Sequence, residues 1–125
     1  MDNDAKTILI IDDDARNIFA LSAVLKARKY NCIPALTAQE GLDILEHNNN
    51  ICLVLLDMMM PEMDGYETVD VIRHNAKFAS LPVIAVTAQA MVGDREKTLQ
   101  AGADAYISKP VDVDELLKLL AKYLH

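Results

Sequence analysis

Short continuous runs of apolar residues alternate along the chain with stretches in which apolar positions recur every three or four residues. A continuous run suits a strand buried on both faces, and the three-to-four spacing suits a helix with one face on a core. Five such pairs are legible. The runs predict strands over Thr7–Ile11 (TILII), Asn31–Leu36 (NCIPAL), Ile51–Leu56 (ICLVLL), Pro82–Val86 (PVIAV) and Ala105–Ser108 (AYIS). Pro34 takes a backbone N–H out of the second run, which places that strand at or near a sheet edge.

Helix starts are marked by a small polar residue followed three positions later by Glu: Thr37 with Glu40, Asp64 with Glu67, and Asp112 with Glu115. The first helix is expected from about Ala15 to Arg28 after Asp14, with Ile18, Leu21 and Leu25, and Phe19 beside them, turned inward. The fourth is expected from about Gly93 to Ala101, stopped by Gly102. Gly41 falls inside the second helix, where glycine costs ~1 kcal/mol relative to alanine.

Alternating strands and helices imply a parallel sheet covered on both faces. The 125 residues make a single domain, 1–125, too short to close an eight-stranded barrel. The remaining solution is an α/β open, doubly wound (βα)5 sheet with right-handed crossovers and the flavodoxin-like strand order 2-1-3-4-5. Such sheets bind ligands beyond the carboxyl ends of their strands, near the switch point between the first and third.

With 52% hydrophobic and 25% charged residues the composition is that of a folded globular chain. A formal charge of −7 leaves no basic face for a nucleic acid backbone or an anionic membrane. No apolar run approaches the ~20 residues of a membrane span, and Met1–Lys6 is polar, so the expected location is cytoplasmic. Cys32 and Cys52 lie in apolar runs without CxxC spacing and are expected as buried free thiols.

The chemistry lies in the residues just past the strands. Asp12-Asp13-Asp14 come after the first, Asp57 after the third, Thr87 after the fourth and Lys109-Pro110 after the fifth. In a parallel sheet these groups converge at one edge. Asp14 by itself reads as a helix cap, but the set together reads as a site. Asp12, Asp13 and Asp57 against Lys109 leave roughly two net negative charges, so the carboxylates repel one another and favour a cation. Oxygen ligands suit Mg²⁺, with Mn²⁺ as a substitute, whereas Zn²⁺ would want His or Cys. Only with such a cation could a dianionic phosphoryl group approach Asp57, its oxygens shared with the Thr87 hydroxyl and the Lys109 ammonium.

The segments ILIIDDD (Ile8–Asp14), LVLLDMMMPEMDGYE (Leu53–Glu67), LPVIAVTAQ (Leu81–Gln89) and AGADAYISKPVD (Ala101–Asp112), in this order and spacing, make the chain resemble a receiver domain of two-component response regulators. The wording around Arg16-Asn17, MDGYE, MVGDRE and ISKPVD is similar to receivers of hybrid histidine kinases. The resemblance implies that Asp57 accepts a phosphoryl group from a histidine kinase or histidine phosphotransfer protein. It implies that Asp12, Asp13, Asp57 and the backbone carbonyl of Met59 hold Mg²⁺. Thr87 would be the switch hydroxyl, Lys109 the phosphate-pairing ammonium, and Tyr106 the aromatic whose rotamer reports the state of Thr87. Pro110 would follow a cis peptide bond, and a face built from the fourth helix, fifth strand and fifth helix would meet a downstream partner. On this reading the chain is a phosphoacceptor switch rather than an enzyme, although it assists its own phosphorylation and dephosphorylation.

A simple packing role for Tyr106, half packed against the last helix, competes with the reporting one. Two other functions fit the fold. A haloacid-dehalogenase-type hydrolase would need a second Asp two residues after the nucleophile, where this chain has Met59, and a flavin module would need a phosphate-binding loop where this chain has three aspartates. His47, His74 and His125 are expected at the surface, Met58, Met59, Met60 and Met63 in loop packing, and Asn48-Asn49-Asn50 in a solvated turn. Met59 and Gln89, each two positions beyond a site residue, are expected to flank the path of water to an acyl phosphate.

Overall fold

The computed structural model describes residues 6–60, 64–88 and 93–124. In chain order its elements are β1 (Thr7–Ile11), α1 (Ala15–Ala27), β2 (Asn31–Ala35), α2 (Ala38–His47), β3 (Ile51–Asp57), α3 (Gly65–Arg73), β4 (Val83–Thr87), α4 (Asp94–Ala101), β5 (Ala105–Ser108) and α5 (Val113–Tyr123). The five strands are parallel and hydrogen-bond in the order β2-β1-β3-β4-β5. The expected order is therefore the observed one, with the Pro34 strand at an edge. Some ends differ from expectation: β2 stops at Ala35, β3 runs on through Asp57, and β4 starts at Val83 and includes Thr87. Met58 N–H donates to the carbonyl of Val86 and Lys109 N–H to that of Thr87, so the ladder reaches the site itself.

Side-chain alternation along the strands divides the core into two layers. Leu9, Ile11, Val54, Leu56, Val83 and Ala85 face α2 and α3, packing with Leu42, Leu45, Val69 and Ile72. Ile8, Ile10, Leu53, Leu55, Ile84 and Ile107 face the other way, onto Leu21 and Leu25 of α1 and Leu116 and Leu120 of α5. Phe19 departs from its expected place. It is 77% exposed, because Ile18, Leu21 and Leu25 already complete the buried stripe of α1 and the next position turns outward.

All three expected caps form, in different degrees. Asp64 and Glu67 make the full reciprocal box, and Thr37 and Asp112 accept from the backbone N–H groups of Glu40 and Glu115. Glu40 Oε1 instead takes the N–H of Leu36, one residue before the cap, at 2.7 Å. α1 is capped by Asp14, whose side chain accepts from Arg16 N–H at 2.9 Å, and that bond holds the carboxyl below its usual range. Gly102 ends α4 with a φ of 123°.

Gly41 corrects the view of a simple weak point. A Cβ there would run into the Ile11 side chain, so the glycine lets α2 lie close against β1. Cys32 and Cys52 are free, as expected, but half-buried rather than fully buried. His47 and His74 are exposed, as are Asn49 and Asn50, while Asn48 is half-buried; His125 lies outside the described residues. No helix among the described residues is long and apolar enough to cross a membrane.

Candidate functional site

Parallel strands deliver Asp12, Asp57, Thr87 and Lys109 to the same edge of the sheet. Asp12 directly follows β1, Asp57 and Thr87 are the last residues of neighbouring strands, and Lys109 directly follows β5. Asp12, Asp57 and Thr87 are buried, whereas Asp13 is exposed. One carboxylate oxygen from each of Asp12, Asp13 and Asp57 lies within 4.8 Å of the others. The metal-ligating trio read from the sequence is thus assembled by the fold.

Each buried carboxylate is oriented. Asp12 Oδ1 accepts the N–H of Asp14 at 2.9 Å, and its Oδ2 accepts from Asn17 Nδ2 at 2.5 Å. Asp57 Oδ1 accepts the N–H of Met59 at 2.9 Å. Lys109 Nζ sits between them, 3.3 Å from Asp12 Oδ2 and 3.6 Å from Asp57 Oδ2. Lys109 follows a residue at the end of the ladder and precedes a cis peptide bond to Pro110.

The electrostatics are those of an overloaded site. Burial raises the pKa of Asp57 above the ordinary carboxylate value, the Met59 N–H and Lys109 pull it down, and Asp12 and Asp13 push it up. Burial pulls Lys109 down, but Asp12 and Asp57 outweigh it and leave the ammonium above its usual range. One ammonium does not balance three carboxylates. A hard cation with oxygen preference matches this donor set, since no nitrogen or sulfur ligand joins the cluster among the described residues.

Beside the site a cavity of about 190 Å³ is lined by Met58, Met59, Tyr66, Thr87, Asp94, Lys97, Thr98 and Tyr106. Tyr106 is buried, on the α3–α4 side of the sheet, while its neighbours Ala105 and Ile107 pack toward α1 and α5. Packing against the last helix, the competing expectation for Tyr106, is therefore corrected: strand alternation sends the ring to the opposite face. Met58 and Met60 are buried and Met59 is 50% exposed beside Asp57. Met63 and Gln89 lie outside the described residues.

Asn17 is the site residue that sequence reading passed over. Its signal was available: five residues after Asp12, it falls on the first turn of a helix that starts at the site.

Over residues 8–121 the sequence matches the family model of the response regulator receiver domain. The polar-differentiation response regulator DivK of Brucella ovis is 35% identical over 120 residues, spanning 95% of this chain and 96% of DivK. Response regulator Rre1 of a Synechocystis species is 38% identical over 119 residues, spanning 94% of this chain and 51% of Rre1. Among solved structures, the receiver domain of a sensor histidine kinase from Pseudomonas aeruginosa superposes with a TM-score of 0.86 at 30% identity, covering 95% of this chain and 97% of that one. That structure is described with a magnesium ion coordinated in its active-site cleft.

Proposed function

This chain belongs to the response regulator receiver domain family of two-component signalling, and on that premise we propose that it is a switch operated by phosphorylation of Asp57. The observation that carries the reading is the convergence of three carboxylates within 4.8 Å, one of them buried at a strand end with an ammonium 3.6 Å away. Receiver domains take phosphoryl groups from histidine kinases, and a kinase or a histidine phosphotransfer protein is the donor here.

Asp12, Asp13 and Asp57, with the Met59 carbonyl, would hold Mg²⁺ or Mn²⁺. When bound, the cation offsets the surplus negative charge and stabilises the equatorial oxygens of the transferring group. The chain's own residues do the rest. Met59 N–H fixes one Asp57 oxygen, so the carboxylate presents a defined face to phosphorus. An Asp57 oxygen bonds to phosphorus as the P–N bond to the donor imidazole breaks, and the released imidazole keeps the electron pair. Lys109, held between two carboxylates, pairs with a phosphoryl oxygen, and the Thr87 hydroxyl turns toward another. Movement of Thr87 and the segment after it alters the α4–β5–α5 face, where a downstream partner binds. The chain acts as a phosphoacceptor rather than as an enzyme with turnover, and its setting is cytoplasmic.

The test is labelling with acetyl phosphate in Mg²⁺. The native chain should take up one phosphoryl group and Asp57→Asn none, whereas stoichiometric labelling of Asp57→Asn would move the acceptor elsewhere. Asp13→Ala should bind Mg²⁺ far more weakly. Lys109→Ala should still bind Mg²⁺ but lose the conformational response.

A further inference from the structure

Asn17 and the carboxylate it touches are each held in place by other parts of the chain. Asn17 is the third residue of α1 and half-buried, and its N–H and that of Ile18 both donate to the carbonyl of the capping Asp14 at 3.1 Å. One position further on, Ile18 is buried against the sheet with Leu21 and Leu25, which pins the first turn of α1. Asp12 is anchored independently, its N–H donating to the Ala35 carbonyl of β2 at 3.0 Å. The 2.5 Å contact between Asn17 Nδ2 and Asp12 Oδ2 therefore joins two fixed points. The nitrogen must be the amide atom that faces Asp12, since an amide oxygen there would set two acceptors against each other.

A carboxylate turns broadly about its last side-chain bond, and each of its oxygens offers about two lone-pair sites. Asp12 Oδ2 has both engaged, by Asn17 Nδ2 and by Lys109 Nζ at 3.3 Å. Oδ1 takes the N–H of Asp14 at 2.9 Å and keeps its other site open. With a donor on each oxygen the carboxylate plane is fixed, and the open lone pair belongs to Oδ1. Lys109 cannot provide this restraint by itself, because it also pairs with Asp57 Oδ2 at 3.6 Å and turns to a phosphoryl oxygen once Asp57 is phosphorylated. Asn17 is also neutral. It restrains Asp12 without offsetting the surplus negative charge that draws a cation to Asp12, Asp13 and Asp57.

We propose that Asn17 is a positioning residue that aims Asp12 and thereby makes the site selective for Mg²⁺ over a larger cation, Ca²⁺. The two ions differ in how much aim matters. Mg²⁺ needs near-octahedral oxygens at about 2.0–2.1 Å, whereas Ca²⁺ accepts irregular sets at about 2.3–2.6 Å. A carboxylate free to turn still serves Ca²⁺ but seldom meets the Mg²⁺ geometry. The inference rests on the reading of Asp12, Asp13 and Asp57 as cation ligands and adds the group that selects which cation they hold.

The experiment is an NMR titration of the metal-free chain with Mg²⁺ and, separately, with Ca²⁺, for the native protein, Asn17→Leu, Asn17→Ala and Asn17→Gln. Leu fills the space without a donor, Ala removes the donor and suits a helix, and Gln keeps the amide on a longer arm. Asn17→Leu and Asn17→Ala should bind Mg²⁺ about tenfold more weakly and Ca²⁺ at most about threefold more weakly, with Asn17→Gln within about threefold of native for both ions. A second readout needs no metal: the Asp14 N–H, which bonds the other oxygen of Asp12, should exchange faster in Asn17→Leu and Asn17→Ala than in the native chain. Equal weakening of the two ions, no weakening of either, or an Asn17→Gln as defective as Asn17→Leu would overturn selection by Asn17 and leave the cation site standing. Failure of the native chain to bind Mg²⁺ would overturn the cation reading as well.

Discussion

The two ends of the sheet treat charge in opposite ways. At the carboxyl ends, Asp12, Asp13 and Asp57 crowd together, with Lys109 against Asp12 and Asp57, and the pKa of Asp57 is raised by burial and by its acidic neighbours. At the amino ends, Arg73 faces one carboxylate and three carbonyls, each within 3.0 Å, and every donor it uses has a partner. Arg73 is half-buried and Asp57 buried, yet one completes a network and the other strains against its neighbours. Charge that is fully paired is structural; charge held in surplus is a demand for a ligand.

Neutralising one group at each end should therefore move stability in opposite directions. Arg73→Met strands Asp104 and three carbonyls, and should lower unfolding free energy by about 3 kcal/mol. The loss stays below that of a deeply buried pair because the Asp104 side chain is 36% exposed. Denaturant titration measures it, and a loss below about 1 kcal/mol would mean that water replaces the guanidinium at little cost.

Adding Mg²⁺ should produce the next largest effect, and only at the carboxyl end. A folded-state pKa above the unfolded one means that folding takes up protons, so metal-free stability falls as pH rises from 3.8 through the raised Asp57 value. Mg²⁺ requires the ionised form, so its stabilisation grows over that same window, reaching about 2.7 kcal/mol at a hundredfold excess over Kd. Thermal unfolding at stepped pH, with and without Mg²⁺, checks the sign. A Mg²⁺ effect that is constant across the window would detach the ion from Asp57.

Asp57→Asn should raise metal-free stability at neutral pH by about 1 kcal/mol, since it removes a buried charge from an acidic cluster while keeping its shape. A destabilised variant would show that the Lys109 pairing outweighs burial. The smallest effect is kinetic. Met59, half-exposed beside Asp57, excludes water but cannot orient it, so Met59→Asn should shorten the phosphorylated lifetime a few-fold, about 1 kcal/mol in barrier, without preventing phosphorylation. Dephosphorylation rates in one Mg²⁺ buffer decide this, and an equal or longer lifetime would remove Met59 from the path of water.

Several features were legible because their cause is local. TILII, ICLVLL and AYIS announce buried strands by composition, and Asp64 with Glu67 announces a helix start by spacing. The convergence of Asp12, Asp57, Thr87 and Lys109 came from topology, since parallel strands joined by right-handed crossovers have no other edge to share. Phe19 and Gly41 were read less well. The inward turn of one helical residue and the closeness of α2 to β1 depend on what stands opposite, and Ile11 is thirty residues away from Gly41 along the chain.

What the sequence determined by itself, then, is the alternation of elements, their caps, the strand order and the acidic edge, all set by periodicity, turn chemistry and chain connectivity. The tertiary structure alone decided that Tyr106 faces α3 and α4, that Arg73 donates to the Gly102 carbonyl, and that Tyr66 meets Thr98. Hydrogen bonds and ring contacts between residues some thirty positions apart act over a few ångströms, and a pattern of polar and apolar positions says which residues share a layer but not which atoms meet within it.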